Sequence, residues 1–240
     1  MRSDQIASAF GKCVEEPSGE TEHLVLLWGD SHAAHLYPGL RASLGTKYRI
    51  AELTSPGCPP FVDHDIGNRK GCRDTNDYIL KWAAKNKPEL ILLSADWMFY
   101  DPKFLTPTVE ALRRTLNAPR IIVVGPVPEW SGGLPRILLT YARRSSLKTT
   151  VPERLSLGPA SGSYKAEAAF REQSKVLKVE YVSILNILCD DDRKCLTRTG
   201  PGVDSLTAWD EAHLTNIGSK YVGARLAAYM TATGIHASPR

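Results

Sequence analysis

The residues best suited to chemistry lie in a short motif, Gly29-Asp30-Ser31-His32. The motif follows an apolar run that predicts a buried strand, and it opens a segment with a helical pattern. A serine at this point has its backbone N–H at a helix N-terminus, which favours a negative charge developing on a nearby oxygen. The preceding glycine permits a tight strand-to-helix turn. Ser31 is therefore a candidate nucleophile, although a serine here can also act simply as a helix N-cap.

A second motif, Asp210-Glu-Ala-His213, precedes the pattern of a long helix far along the chain. An Asp and a His three positions apart can face the same way. His213 could then accept the proton of Ser31 while Asp210 orients the imidazole. Alone, this motif fits equally well a solvated acidic turn that caps the following helix. Combined with Ser31, it predicts a Ser-His-Asp catalytic triad.

Short apolar runs alternate with helical segments, which predicts a parallel sheet covered on both faces. The runs that predict strands are 23–28, 48–53, 90–94, 120–124 and 179–183. The stretches that predict helices are 32–44, 74–86, 108–116, 134–142, 164–177 and 215–231, and 143–160 are expected to be irregular. We therefore expect an α/β fold, a three-layer α/β/α domain with a parallel five-stranded sheet. Ligand sites in such sheets lie beyond the carboxyl ends of the strands, which is where Ser31 falls.

Length and composition restrict the function classes. Of the 240 residues 42% are hydrophobic and 23% charged, as in a globular protein. The 30 basic and 26 acidic residues are dispersed, so no nucleic-acid partner is expected. No apolar run approaches the roughly 18 residues that cross a bilayer, and the polar start of the sequence predicts no signal peptide. We expect a linker or extension over 1–22 and one domain over 23–240, forming a soluble, monomeric fragment of a longer exported or membrane-bound parent.

Five cysteines are unusual in this context. Cys58 and Cys72, and likewise Cys189 and Cys195, are close in sequence and lie in stretches rich in Pro, Gly and charged residues. Disulfides Cys58–Cys72 and Cys189–Cys195 would clip loops in an oxidising compartment. The alternative is a set of scattered reduced thiols. Cys13 is left over, and its partner is expected in a part of the parent outside this chain.

Other candidates have less specific interpretations. His32 and His35 lie three apart on one predicted helix, but no third ligand is evident. We therefore expect packing, or a supporting role beside the site, and no metal site. Four aromatic residues near predicted strand ends or the second motif could stack on sugar rings or pack in the core: Trp97, Tyr100, Trp130 and Trp209.

The two motifs together resemble the SGNH (GDSL-like) hydrolase superfamily, whose first block matches Gly29-Asp30-Ser31 and whose last block matches 210–213. The resemblance implies that Ser31, Asp210 and His213 are the triad. It also implies an oxyanion hole, with Ser31, Gly57 and Asp96 at the positions of its donors. The family usually has an asparagine where this chain has Asp96. An ionised carboxylate would repel the oxyanion, so Asp96 turns away, is protonated, or leaves the hole with fewer donors.

Further blocks resemble the periplasmic SGNH domain fused to membrane acyltransferase-3 proteins: Leu-Trp-Gly-Asp-Ser-His-Ala-Ala-His (27–35), Cys58-Pro-Pro, Leu-Ser-Ala-Asp-Trp (93–97), Pro-Val-Pro-Glu-Trp (126–130) and Trp-Asp-Glu-Ala-His-Leu-Thr (209–215). Members of this group are bacterial O-acyltransferases, many of which acetylate lipopolysaccharide O-antigen. The resemblance implies an O-acetyltransferase with a polysaccharide acceptor at the periplasmic face of the inner membrane. It further implies no cofactor in this domain, because acetyl groups from acetyl-CoA would arrive through an N-terminal acyltransferase-3 membrane domain. The alternatives are a carbohydrate O-acetylesterase and a non-catalytic glycan-binding module.

Overall fold

The computed structural model of the chain describes residues 3–17, 23–67, 69–144, 151–157 and 161–234. Five parallel strands form the main sheet in the order β2-β1-β3-β4-β6, and β5 pairs with β7 in a small antiparallel sheet. In chain order the elements are α1 (Ser3–Phe10), β1 (His23–Gly29), α2 (Ser31–Ala34), α3 (Tyr37–Leu44), β2 (Tyr48–Thr54), α4 (Cys72–Asn86), β3 (Leu90–Ser94), α5 (Leu105–Thr115), β4 (Arg120–Val124), α6 (Leu134–Arg144), β5 (Arg154–Ser156), α7 (Ser163–Val176), β6 (Glu180–Val182), α8 (Ile184–Leu188), β7 (Lys194–Leu196) and α9 (Asn216–Ala232).

The central strands are buried on both faces, as their continuous apolar sequences predict. Every residue of β3 and β4 is buried, and β1 is buried from Leu24 onward. Alternate residues of these strands contribute to two hydrophobic clusters, one on each side of the sheet. The five-stranded α/β/α architecture predicted from the sequence is confirmed.

Helices α3 and α9 pack on one face of the sheet so closely that their backbones are in contact. A Cβ added to Gly39 would lie 1.9 Å from the carbonyl oxygen of Ser219, and one added to Gly223 would lie 2.2 Å from the carbonyl carbon of Gly39. The Gly39 N–H also donates to Oγ of Ser219 at 2.9 Å. Glycine at these positions therefore lets α9 approach α3, the second helix after the Gly29-Asp30-Ser31-His32 motif.

Gly39→Ala is expected to lower the free energy of unfolding by about 1–3 kcal/mol, because the added methyl group overpacks the α3–α9 contact. Helix propensity alone favours alanine over glycine by about 1 kcal/mol and would raise the free energy of unfolding. A decrease therefore indicates overpacking. Denaturant unfolding measures it, with Ser43→Ala on the exposed face of the same helix as control. A Gly39→Ala variant as stable as that control would contradict the close packing.

Residues 3–17, the described part of the linker or extension expected over 1–22, contain a helix and contacts to the domain. Residues 3–10 form α1, which contacts α4. Ile6 and Phe10 are buried in the core because residues four apart share one face of a helix. Val14 then bridges antiparallel to Ala51 of the edge strand β2. The α1 helix and Val14 thus pack on the domain, while the predicted domain start at residue 23 stays a prediction.

Three further elements differ from the sequence-based expectations. The helix expected over 32–44 is two helices, because Pro38 supplies no N–H to continue the hydrogen-bond ladder from α2. The short α8 and the β5–β7 pair were not predicted, and β5 lies within the stretch expected to be irregular. Residues 145–150 and 158–160 of that stretch lie outside the described residues. Within the described part of the chain, none of the helices has the length and apolar character of a membrane span.

Candidate active site

The candidate active site lies at the carboxyl edge of the sheet, where β1 and its two neighbours end together. The strand register sets Gly29 opposite Thr54 of β2 and opposite Ser94 of β3. The segments that follow these strands therefore lie side by side. This arrangement brings the loops that carry Ser31, Gly57 and Asp96 to one edge, as expected for a parallel sheet.

The turn between β1 and α2 is fixed by its glycine and by the Asp30 carboxylate. A Cβ at Gly29 would lie 1.6 Å from the carbonyl oxygen of Ser94, so a side chain has no room here. Asp30 is buried, and its Oδ1 accepts the N–H of His32 at 2.8 Å as the N-cap of α2. Its Oδ2 accepts the N–H of Asp96 at 3.0 Å. One carboxylate thus ties the loop after β1 to the loop after β3.

Ser31, His213 and Asp210 form a continuous hydrogen-bonded chain across 182 sequence positions. The distance from Oγ of Ser31 to Nε2 of His213 is 2.8 Å. The distance from Nδ1 of His213 to Oδ2 of Asp210 is 2.7 Å. Both distances lie within hydrogen-bond reach, which is the arrangement that activates a serine hydroxyl. The structure therefore brings together all three residues of the predicted triad.

The loop that carries Asp210 and His213 is held by several backbone hydrogen bonds. Oδ1 of Asp210 accepts the N–H groups of Ala212 at 2.9 Å and of His213 at 2.7 Å, so the loop is closed on its own carboxylate. The N–H of Leu134, at the start of α6, donates to the carbonyl of Asp210 at 3.1 Å. These contacts leave Oδ2 of Asp210 directed at the imidazole. The supporting role of α6 has no signature in the sequence motifs.

His32 and His35 lie beside the His213 imidazole and are uncharged. Their rings lie 4.9 Å and 6.1 Å from the ring of His213 and 5.1 Å from each other. Burial, followed by the charge of His213, lowers the pKa of His32 to about 3. Burial also lowers the pKa of His35, whose Nδ1 lies 3.3 Å from the N–H of Leu214. Among the described residues no group of three or more His, Cys, Asp or Glu is arranged to hold a metal ion.

Asp210 stays ionised at neutral pH. Burial raises the pKa of this carboxyl, but the N–H groups of His213 and Ala212 and the His213 side chain outweigh burial and lower it below its ordinary value. A carboxylate that remains charged stabilises the imidazolium formed when His213 takes a proton.

The three predicted oxyanion-hole positions lie on the loops that meet at this edge. Gly57 has a left-handed backbone with φ of 68°, and the Arg69 side chain packs against it. Asp96 turns its backbone N–H to Asp30, and its side chain lies beside His32, with Oδ2 at 3.5 Å from Nε2. Oxyanion binding by Ser31, Gly57 and Asp96 stays a prediction.

The structure pairs the same cysteines that the sequence analysis paired. Cys58–Cys72 joins the loop that carries Gly57 to the start of α4, with the Cα atoms 5.2 Å apart. Cys189–Cys195 closes the short turn between α8 and β7. Cys13 is a free thiol. The first disulfide therefore restrains one wall of the candidate site.

The four aromatic candidates differ in how much of each side chain is exposed. Trp97 and Trp130 are core residues, with exposed fractions of 1% and 2%. Tyr100 is half-buried, and its hydroxyl donates to the Gly57 carbonyl at 3.5 Å. Trp209 is 60% exposed and stacks on the His213 ring, with centroids 5.3 Å apart and an interplanar angle of 24°. Of these four residues, Trp209 alone presents a large free ring face beside the triad.

Comparison with solved structures identifies proteins of the same fold. The periplasmic domain of the lipopolysaccharide acetyltransferase of Salmonella ser. Paratyphi A aligns with a TM-score of 0.82 and 28% identity over 96% of this chain and 90% of that domain. The carbohydrate acetylesterase Est24 of Sinorhizobium meliloti aligns with a TM-score of 0.55 and 15% identity over 89% of this chain and 100% of that chain. The latter likeness shows the fold alone.

Comparison with curated protein sequences gives no match. The family model for the "SGNH domain (fused to AT3 domains)" matches residues 2–228, which is most of the chain. The chain belongs to the family of SGNH domains that are fused to acyltransferase-3 domains.

Proposed function

We propose that this chain is an O-acetyltransferase domain that transfers an acetyl group to a sugar hydroxyl of a bacterial surface polysaccharide, with lipopolysaccharide O-antigen as the acceptor. The observation that carries the proposal is the hydrogen-bonded chain from Ser31 through His213 to Asp210, at 2.8 and 2.7 Å. Membership of a family fused to acyltransferase-3 domains, and the 28% identity to a lipopolysaccharide acetyltransferase domain, support the acyl group and the acceptor.

The reaction proceeds by double displacement. His213 removes the proton of Ser31 as Oγ attacks the acetyl carbonyl carbon of the donor. The tetrahedral intermediate collapses, His213 protonates the leaving group, and acetyl-Ser31 remains. His213 then removes the proton of a sugar hydroxyl, whose oxygen attacks the acetyl carbon and releases Ser31 with its proton restored. Water in place of the sugar in this second step would make the same site an esterase.

The acetyl donor reaches Ser31 through a membrane partner in this proposal. The description of the family includes fusion to acyltransferase-3 domains. An acyltransferase-3 membrane domain in the same parent chain would pass acetyl groups from cytoplasmic acetyl-CoA to the periplasmic face of the inner membrane. The two disulfides support an oxidising compartment such as the periplasm.

A groove beside the Asp210–His213 loop supports an extended acceptor. It has a volume of about 730 Å³, lies between α6 and β5, and is lined by residues that include Gly132, Arg136 and Tyr141. The Gly132 N–H donates to Oε1 of Glu211 at 3.2 Å, so the groove borders the loop that holds the catalytic base. A polysaccharide needs such space beyond the reacting sugar, whereas a small ester does not.

The test is to load the chain with acetyl from p-nitrophenyl acetate and then add deacetylated O-antigen polysaccharide. We expect an acetyl adduct on the peptide that contains Ser31, detected by mass spectrometry, and its transfer to the polysaccharide. Release of acetate with equal speed in the absence and presence of polysaccharide would indicate an esterase instead. Polysaccharide binding with no adduct and no turnover would indicate a glycan-binding module.

Trp209→Ala is expected to raise the KM for the polysaccharide about 3- to 10-fold, because the exposed ring face is lost as a platform for a sugar ring. Trp209→Phe keeps a flat ring on His213 and is expected to stay within about twofold of wild type. Hydrolysis of p-nitrophenyl acetate, measured in parallel, reports on the position of His213. An equal loss in both assays would contradict acceptor stacking and assign Trp209 to support of the imidazole.

A further inference from the structure

Asp96 lies beside the triad with a side chain that the triad does not use. It follows β3 by two residues, and β3 pairs with the strand that leads into Ser31. Its backbone is fixed, because its N–H donates to Oδ2 of Asp30 at 3.0 Å. Its Oδ2 lies 3.5 Å from Nε2 of His32. Its Oδ1 is buried and has no hydrogen-bond partner in the part of the chain that the structure describes.

A charged carboxylate is poorly accommodated at this position. Asp30 is a second carboxyl close by, and its oxygens already accept two backbone N–H groups. Burial, followed by the Asp30 charge, raises the pKa of Asp96 to about 7, and Glu129 adds to this effect. The Met98 N–H and the His213 charge act in the opposite direction and do not offset it.

The other titratable neighbours do not supply a compensating charge. His32 is neutral because its pKa is about 3. Tyr100 is also neutral, since burial and the charges of Asp30 and Asp96 raise the pKa of its phenol. A proton on Asp96 removes the repulsion from Asp30 and converts one carboxyl oxygen into a donor. The protonated group then offers one donor and one acceptor, as an asparagine amide does.

We propose that Asp96 carries its proton in the resting site and donates a hydrogen bond to the acetyl oxygen that becomes negative when Ser31 attacks. The donor would act in a partly buried site, where such a hydrogen bond is stronger than in water. Loss of the proton would place a negative charge beside the same oxyanion and oppose the reaction. This inference rests on the proposed acyl chemistry at Ser31 and is independent of the identity of the acceptor.

The kinetic test compares wild type, Asp96→Asn and Asp96→Ala in hydrolysis of p-nitrophenyl acetate from pH 5 to 9. The wild-type rate is expected to fall above about pH 7 because the donor form is lost there. Asp96→Asn is expected to match wild type within about threefold at pH 6 and to lack this alkaline fall. Asp96→Ala is expected to lose about 10²–10³-fold at every pH. An alkaline fall that persists in Asp96→Asn, or an Asn variant as slow as the Ala variant, would overturn the proposal.

Thermal unfolding tests whether the Asp96 carboxyl is protonated, and it does not depend on enzymatic turnover. The carboxyl pKa is raised from 3.8 to about 7 on folding, so the folded state holds an extra proton in this range and wild-type stability falls as pH rises through it. The melting temperature of Asp96→Asn relative to wild type is therefore expected to rise between pH 4 and 7 and then level off. A difference that is constant with pH would overturn the proposal. Wild type with no ester turnover would refute the proposed function, while this melting comparison would still decide where the proton lies.

Discussion

Ser31→Ala is expected to reduce acetyl transfer to the polysaccharide by about 10⁵–10⁶-fold, the loss that follows removal of a serine nucleophile in a triad. The methyl side chain cannot form acetyl-Ser31, so both the transfer and the hydrolysis of p-nitrophenyl acetate should cease together. The measurement is acetyl incorporation into deacetylated O-antigen polysaccharide, with the acetyl adduct followed by mass spectrometry.

The Ser31→Ala variant should fold as wild type does. The N-cap of α2 is Asp30, whose carboxylate accepts the His32 N–H, so the helix start does not depend on the Ser31 hydroxyl. Ser205→Ala is a matched control, because it removes a hydroxyl that bonds to Gly200 and Gly202, in a turn outside the triad. A Ser31→Ala enzyme that retains a tenth of the wild-type transfer rate, with an unchanged melting temperature, would refute the nucleophile assignment.

Asp210→Asn is expected to lower the rate by about 10⁴-fold, as the corresponding change does in a serine protease. The amide NH2 would face Nδ1 of His213 in place of the carboxylate oxygen that now lies 2.7 Å away. The imidazole would then carry its proton on Nε2 and could not accept one from Ser31. The lost negative charge would also leave the imidazolium without its partner.

The neighbouring Glu211 provides the control for Asp210→Asn. Its Oε1 accepts the Gly132 N–H, and glutamine can do the same, so Glu211→Gln should change the rate by no more than about threefold. In Asp210→Asn the amide oxygen can still accept the N–H groups of Ala212 and His213, which keeps the loop closed. Equal losses in the two variants would show that the loop's shape matters and the Asp210 charge does not.

The sheet was predictable because its strands are short runs of apolar residues flanked by turn residues. β3 and β4 have the predicted bounds. Every residue in them is buried, so each strand is built on one continuous apolar run whose ends are clear in the sequence. The α1 helix was not predicted, because two apolar residues four apart, Ile6 and Phe10, are a weak signal in a polar segment. The helix over 32–44 was predicted as one piece, although Pro38 gave a signal for the break.

The residues of the candidate triad could be picked out from two motifs, but the distances between them could not be predicted. Contact between Ser31 and His213 depends on a β1–β3 register and an α3–α9 packing that no local pattern encodes. Sequence alone left three possibilities open for Asp96. In the structure its backbone N–H donates to Asp30, and its buried Oδ1 has no hydrogen-bond partner among the described residues. Which of the three possibilities holds stays a prediction.

The glycine contact between α3 and α9 has a consequence for biosynthesis. His213 lies three residues before α9, the helix that packs on Gly39 through Ser219 and Gly223, so the position of the imidazole is linked to the packing of that helix. Ser31 is synthesised 182 residues before His213, its hydrogen-bond partner in the folded chain. In the proposed mechanism, a chain that ends before His213 therefore lacks the base that would activate Ser31.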